Sequence, residues 1–412
     1  MQDRASRIVI VGAGHAGAGA AAFLRQFGWP GDILLLGEEP VAPYHRPPLS
    51  KAWLKGEATA ASLALRPPGF WEAQRIAFRP GTRVEGLDLA TRRLHLADGE
   101  ALAWDRLILA TGARPRRLAI PGAELPGVLA LRNAADADRL KAVLGPGRRL
   151  AVIGAGWIGL EVAASARALG AAVTVLEAAP RVLGRVASQA LSAFLADVHR
   201  ARGVELRLGA AVEAIEGEGG RAAALRLADG TRIACDAVLV GVGAVPEDAL
   251  ARAAGLAAPG TSGGIAVDAR ARSAAEGVHA IGDCTLRPLP GGAIGRLESV
   301  PSATEQAKQA AADLCGRPAP APEVPWFWSD QYDLRLQAAG LTQGAAASVL
   351  RGDPAAGRFA LFHLDAAGAV QAVEAVNAAP EFMAGKRLVG TGRPVAPALL
   401  ADPATSLQTA AA

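Results

Sequence analysis

The sequence predicts an α/β chain: two copies of one Rossmann-like, doubly wound unit, followed by a smaller α+β domain. Three observations lead there. An apolar, β-branched run at residues 7–11 breaks into Gly12-Ala13-Gly14-His15-Ala16-Gly17, and an alanine-rich helical pattern follows over residues 18–27. The same plan recurs at residues 148–153, which enter Gly154-Ala155-Gly156-Trp157-Ile158-Gly159 and a second helical pattern ending near Leu169. Each copy also carries short alternating runs around an Asp-Gly turn, Asp98-Gly99 and Asp229-Gly230, before a last buried strand.

Within each turn the three glycines have separate tasks. Gly12 permits the tight turn, Gly14 lets a pyrophosphate approach the backbone, and Gly17 lets helix and strand pack closely. The free N–H groups at the helix start add partial positive charge for phosphate. A second strand over residues 32–36 leads to Glu38. Prolines at 40, 43, 47 and 48 stiffen the next segment into a loop, and a helix is expected to begin near Ser50. Residues 82–107 predict an antiparallel meander, and residues 106–110 a buried strand closing on Thr111-Gly112. In the second copy a strand over residues 172–176 ends on Glu177, and residues 235–240 run into Gly241-Val242-Gly243.

Residues 278–283 predict a further strand and residues 301–314 a long helix. Both should return to the first unit, whose sheet otherwise lacks its last strand. Residues 317–325 are proline-rich and read as a linker. The α+β domain beyond it shows strands at 359–364 and 370–376 and a helix at 380–388, with a tail expected to fray after Thr405.

Composition narrows the function. The formal charge is +4, from 43 basic and 39 acidic residues, with no concentrated basic stripe, so no nucleic-acid partner is expected. No apolar run approaches the ~18 residues of a transmembrane helix, so no membrane partner is expected either. The first strand begins within about seven residues of the start, which leaves no room for a signal peptide. The three cysteines, Cys235, Cys284 and Cys315, are isolated, as expected in a reducing cytoplasm. Histidines at 45, 95, 199, 279 and 363 lack metal-ligand spacing and read as structural or surface residues; no metal is expected.

Each dinucleotide fold needs an acidic residue at the end of its second strand for the adenosine ribose. Glu38 and Glu177 stand there, and a carboxylate at Glu177 disfavours a 2′-phosphate, which points to NADH. Two such seats in one chain suit a flavin beside a nicotinamide, because NADH delivers a hydride that a flavin can accept. A dithiol relay needs paired cysteines after the second strand; Tyr44-His45-Arg46 stands there instead. Electrons must then leave singly, to an external metal centre.

These residues give the chain a specific resemblance. Together with Arg46-Pro47-Pro48-Leu49-Ser50-Lys51, Ala110-Thr111-Gly112, Glu161, Gly282-Asp283, Glu298-Ser299-Val300-Pro301 and Trp326-Phe327-Trp328-Ser329-Asp330-Gln331, the two glycine turns are similar to those of the FAD-dependent NADH:ferredoxin reductases of bacterial oxygenase systems. The resemblance spans essentially the whole chain. It implies a glutathione reductase-like fold: an FAD domain at 1–112 and 241–318, an inserted NAD domain at 113–240 and an interface domain at 319–412. It implies non-covalent FAD on Ala16, Glu38, Lys51, Val84, Arg132, Asp283 and Val300, with His15, Arg46, Ala110, Thr111, Gly112, Glu298 and Trp328 completing the flavin site. Gly154, Gly156, Ile158, Gly159, Glu177, Arg185 and Gly243 would surround NADH.

Lys51, Glu161 and Trp157 are the expected catalytic residues: a positive charge near the isoalloxazine, a carboxylate beside the nicotinamide, and an aromatic covering the flavin. The implied partner is a [2Fe–2S] ferredoxin serving a cytochrome P450 or a Rieske-type oxygenase. Two alternatives stay open: a rubredoxin or Rieske-type acceptor, or a sensor in which NADH changes conformation. One departure from the family pattern is Glu247, where asparagine is common after the proline.

Overall fold

The computed structural model describes residues 6–257, 263–290 and 292–407. The chain divides into two compact units, the first Met1–His45, Ala60–Arg114 and Ala244–Glu323, the second Arg46–Thr59, Pro115–Gly243 and Val324–Ala412.

In the first unit, Ile8–Val11 is a central strand with every residue buried. It pairs in parallel with Ile33–Leu36 on one side and Arg106–Leu109 on the other. Ile76–Arg79 and Val278–Ala280 complete a five-stranded parallel sheet at its two edges. Side chains alternate across a strand, and the two faces have different covers. Ile8 and Ile10 pack against alanines of the helices His15–Gln26 and Val300–Leu314. Val9 and Val11 pack against Leu94, Leu96, Leu102 and Trp104, from the meander Val84–Asp88, Arg93–Leu96, Ala101–Ala103 and its flank. The returning strand Val278–Ala280 sits beside Arg106–Leu109, as its place in the sequence required.

Two boundaries differ from the sequence pattern. The first helix starts at His15, because Gly14 caps it with an extended backbone. The returning strand stops at Ala280: Gly282 takes φ +82° and bends the chain into a 3₁₀ turn, Gly282–Cys284.

The second unit repeats the parallel sheet, in the order Val204–Leu208, Ala172–Glu177, Arg149–Ile153, Ala237–Val240, Val128–Leu129. Its meander is Val212–Glu218, Arg221–Leu227 and Arg232–Ala234. The segment Arg46–Thr59 belongs here, as a 3₁₀ turn Pro47–Ser50 and a single helical turn Ala52–Lys55. Five antiparallel strands follow in the order Trp326–Gln331, Leu334–Gly340, Val370–Val376, Arg358–Leu364, Ala347–Asp353, with the helix Ala379–Thr391 packed on them. Leu407 is buried in that core, so the tail expected to fray after Thr405 is docked through Leu407. The rest of that tail, residues 408–412, lies outside the described residues.

Candidate dinucleotide sites

The first glycine turn lies at the carboxyl ends of the central strands, where a ligand crevice forms in open α/β sheets. Gly12 has φ +107°, and a Cβ there would stand 2.3 Å from the Ala110 carbonyl oxygen. A Cβ on Gly17 would stand 1.9 Å from the Gly12 oxygen. These two glycines are required by the protein itself. Gly14 is not: a Cβ there would meet nothing within 4 Å. No side chain caps the helix that follows, and its first turn holds no acidic residue. A helix start without a side-chain cap, beside an open middle glycine, is the arrangement that suits a pyrophosphate.

Around this turn, Glu38 forms an exposed ion pair with Arg83 at 2.5 Å, next to Val84. The His15 and His45 rings lie 5.4 Å apart, and burial and Arg66 depress the His45 pKa. Thr111 donates its hydroxyl to the Glu247 carbonyl at 2.5 Å, and the Glu247 N–H donates to the Gly112 carbonyl. The departure at Glu247 is thus absorbed by backbone bonds. Glu298 pairs with Arg296 at 2.5 Å, and Ser299 caps the helix that Val300 begins.

Asp283 rides on the 3₁₀ turn, and Gln306 fixes that turn. The buried Gln306 Oε1 accepts from the Gly282 N–H at 3.2 Å and the Thr285 hydroxyl at 2.7 Å. Sequence reasoning passed over Gln306, which reads as one more polar residue in an alanine-rich helix.

The second turn repeats the first. A Cβ on Gly154 would stand 2.6 Å from the Gly241 oxygen, and one on Gly159 2.2 Å from the Gly154 oxygen. At Gly156 the nearest atom is 3.9 Å away. The helix Trp157–Ala168 again has no side-chain cap and no acid in its first turn. Ile158 is exposed beside the turn, and Trp157 packs on Phe327 with ring centroids 4.9 Å apart. Gly243 has φ +105° and accepts from the Arg116 N–H.

Glu177 is held by two backbone donors, Ala155 N–H at 2.8 Å and Ala179 N–H at 2.9 Å. Each oxygen keeps an acceptor position for a ribose hydroxyl. Arg181 is spent on the carbonyls of Gly184 and Ala187, while Arg185 is exposed in the same loop.

Lys51 and Glu161 meet. Lys51 Nζ lies 2.6 Å from Glu161 Oε2, with both side chains largely buried. The Ser50 hydroxyl donates to the same oxygen at 2.5 Å, and the Ser329 hydroxyl donates to Oε1 at 2.6 Å. Arg46 anchors this segment by donating to the Arg132 carbonyl at 2.7 Å. Trp328 lies beside Trp326 on the same face of their strand, opposite Ser329, with ring centroids 5.5 Å apart.

None of the three thiols is paired. Burial pushes Cys235 up to about 11 and raises Cys284 and Cys315 as well. High-pKa buried thiols are poor nucleophiles.

Two matching turns, each with room at its middle glycine, are what an oxidoreductase using a flavin and a nicotinamide needs. Residues 6–307 match the model of the pyridine nucleotide-disulphide oxidoreductase family, and residues 326–411 match the model described as reductase C-terminal. The chain belongs to the pyridine nucleotide-disulphide oxidoreductase family. It is 50% identical over 385 residues, 93% of each chain, to a protein of Castellaniella defragrans described as probable ferredoxin reductase CtmF. It is 44% identical to the rhodocoxin reductase of Rhodococcus erythropolis, over 98% of this chain and 94% of that one. Among solved structures, the covalent putidaredoxin reductase–putidaredoxin complex matches with a TM-score of 0.94 at 40% identity, covering 98% of this chain and 97% of that one.

Proposed function

We propose that the chain is an FAD-dependent NADH:ferredoxin oxidoreductase whose [2Fe–2S] ferredoxin serves a cytochrome P450 or a Rieske-type oxygenase. The observation that carries this reading is the pairing of two dinucleotide turns with three unpaired, buried or half-buried thiols. Electrons that enter as hydride have no dithiol to rest on. FAD, when bound, supplies the chemistry: it takes a hydride from NADH and releases electrons one at a time.

The domain plan follows the motifs: FAD on 1–112 and 241–318, NADH on 113–240, the ferredoxin at an interface that includes 319–412. The Gly12–Gly17 turn would hold the FAD pyrophosphate on its N–H groups. Glu38 would accept from the adenosine ribose, Val84 would line the adenine, and Asp283, steadied by Gln306, would accept from the ribityl hydroxyls. The Gly154–Gly159 turn would hold NADH, with Glu177 on its ribose and Arg185 beside its phosphates. Glu161 would lie beside the nicotinamide, keeping the Lys51 ammonium in place as a fixed positive charge. Trp157 would cover the flavin until nicotinamide displaces it, and Trp328 would lie between the flavin and the docked partner. No helix among the described residues is long and apolar enough to cross a membrane; we place the enzyme in the cytoplasm, where NADH and reduced thiols coexist.

The test is reduction of a [2Fe–2S] ferredoxin by NADH, followed by the bleaching of its visible absorbance. Turnover with ferredoxin should exceed that with rubredoxin at equal concentration. A chain that NADH reduces but that passes electrons to neither protein would refute the assignment and favour a sensor.

A further inference from the structure

The buried carboxylate of Glu161 is the start of a longer arrangement. The strand Trp326–Gln331 sends alternate side chains to opposite faces. Phe327 and Ser329 face the helix Trp157–Ala168 and Gln331, on the same face, reaches the helix Gln189–Ala201, while Trp326 and Trp328 lie side by side on the other face. Ser329 donates to Glu161 Oε1 at 2.6 Å, and Gln331 Nε2 donates to Ser329 Oγ at 3.1 Å. Gln331 Oε1 lies 2.9 Å from Nε2 of His199, near the end of the helix Gln189–Ala201. Nδ1 of the same ring lies 3.1 Å from the Tyr332 hydroxyl. His199 and Ser329 are 0% exposed and Gln331 is 1% exposed.

Chemistry sets the direction of every bond. An amide oxygen only accepts, so His199 must carry its proton on Nε2, and Nδ1 must accept from Tyr332. Burial keeps the imidazole pKa below its ordinary value, which favours the neutral ring this pattern needs. All the donors then point one way, toward the Glu161 anion. Beyond the far end of the chain, Tyr332 feels the charges of Arg167 and Arg202; Arg202 sits over its ring at 5.1 Å and pairs with Asp333 at 2.5 Å.

We propose that Ser329, Gln331 and His199 are positioning residues for Glu161: a one-way chain of hydrogen bonds that fixes its carboxylate, and through it the Lys51 ammonium, for the nicotinamide. The proposal rests on the reading that Glu161 lies beside the nicotinamide. The chain carries orientation, not protons, because the Gln331 amide gives up no proton without becoming an imidic acid. It also gives the strand Trp326–Gln331 a part in the NADH site that its tryptophans do not supply.

The test uses the FAD-loaded protein with Gln331→Leu and Ser329→Ala. Flavin bleaching at saturating NADH should slow about tenfold in Ser329→Ala, the effect of one lost bond to a charged group, and about threefold in Gln331→Leu, which loses bonds between neutral groups, while the NADH Kd moves less than about threefold in either. Flavin content should stay near wild type, and Ser329→Thr should restore the rate. A long-range ¹H–¹⁵N spectrum gives a readout independent of turnover. His199 should be neutral and protonated on Nε2 at about pH 8, and should stay neutral to a lower pH than an ordinary histidine does. Gln331→Leu should abolish that tautomer preference.

A His199 that titrates no lower than an ordinary histidine, the opposite tautomer, or wild-type bleaching in Ser329→Ala would overturn the proposal. Glu161→Gln separates the two layers. If it slows bleaching while Ser329→Ala does not, the chain is refuted alone; if it has no effect, the placement of Glu161 beside the nicotinamide falls with it.

Discussion

At Gly156 an added methyl would touch no protein atom closer than 3.9 Å, although Gly154 and Gly159 on either side have no such room. The backbone at Gly156, φ −78° and ψ 179°, suits alanine as well as glycine. The protein itself does not require glycine here, which fits the proposal that NADH approaches this backbone. Gly156→Ala should leave the melting temperature of the FAD-loaded protein within about 2 °C, since surface changes cost little. It should weaken NADH by about 1–3 kcal/mol, the usual cost of one methyl too many in a filled site. The matching change Gly14→Ala should lower flavin content instead. Titration with NADH and the flavin-to-protein absorbance ratio measure the two effects, and a crossed result would exchange the two seats. Glycines at such turns are legible in a sequence because one backbone geometry demands them. His199 was not: its partners Gln331 and Tyr332 lie more than 130 residues away, and only the fold brings them together.

At the scale of an element, the helix Val300–Leu314 shows how the returning segment is held. Asp313, near its C-terminal end, accepts from Arg272 Nη2 at 2.7 Å, Arg272 Nε at 2.9 Å and His279 Nε2 at 3.0 Å. Arg270 adds a weaker contact at 3.3 Å. The His279 bond above all, with Arg272 and Arg270 behind it, holds this carboxyl well below the usual carboxylate range, against the opposing effect of burial. A depressed carboxyl stabilises the fold above its unfolded pKa, near 3.8, and that contribution is lost as pH falls through the lower folded value. The two arginines are about half exposed, which limits what their pairs contribute. Asp313→Asn should therefore cost about 1–3 kcal/mol at neutral pH. Its melting-temperature deficit should shrink progressively as pH falls below about 4, because the unfolded chain's carboxyl then takes up a proton that the folded one still refuses. A deficit that stayed constant across that range would mean Asp313 acts through packing alone. The helix itself was legible from its pattern. Its tie to the strand Val278–Ala280 was not, because a lone aspartate near a helix end reads as an ordinary surface charge.

Across the whole molecule, duplication made the fold legible. Two unrelated stretches do not acquire strand, glycine turn, helix and acidic strand end in one order by accident, and the two parallel sheets answer to each other strand by strand. What duplication could not reveal is the behaviour of Arg46–Thr59. It follows the first glycine turn in sequence but packs with the second unit, where Ser50 and Lys51 both reach Glu161. The Ser50–Lys51–Glu161 contacts form inside one compact unit and are largely buried, so if they serve hydride transfer as proposed, that step should be insensitive to dissolved ions. Partner docking differs. Arginine supplies nearly all of this chain's positive charge, the net charge is +4, and oxygenase ferredoxins are commonly acidic. Such pairs attract over about a Debye length, roughly 10 Å at 0.1 M salt. Raising the salt from about 0.05 M to about 0.5 M should lower kcat/KM for ferredoxin by about tenfold or more, through the association rate. Over the same range, flavin bleaching by NADH should change less than about twofold, since buried pairs such as Lys51–Glu161 are little screened. Equal loss in both assays would place the salt effect in the NADH site, and no loss in either would mean that charge does not guide the ferredoxin to its seat.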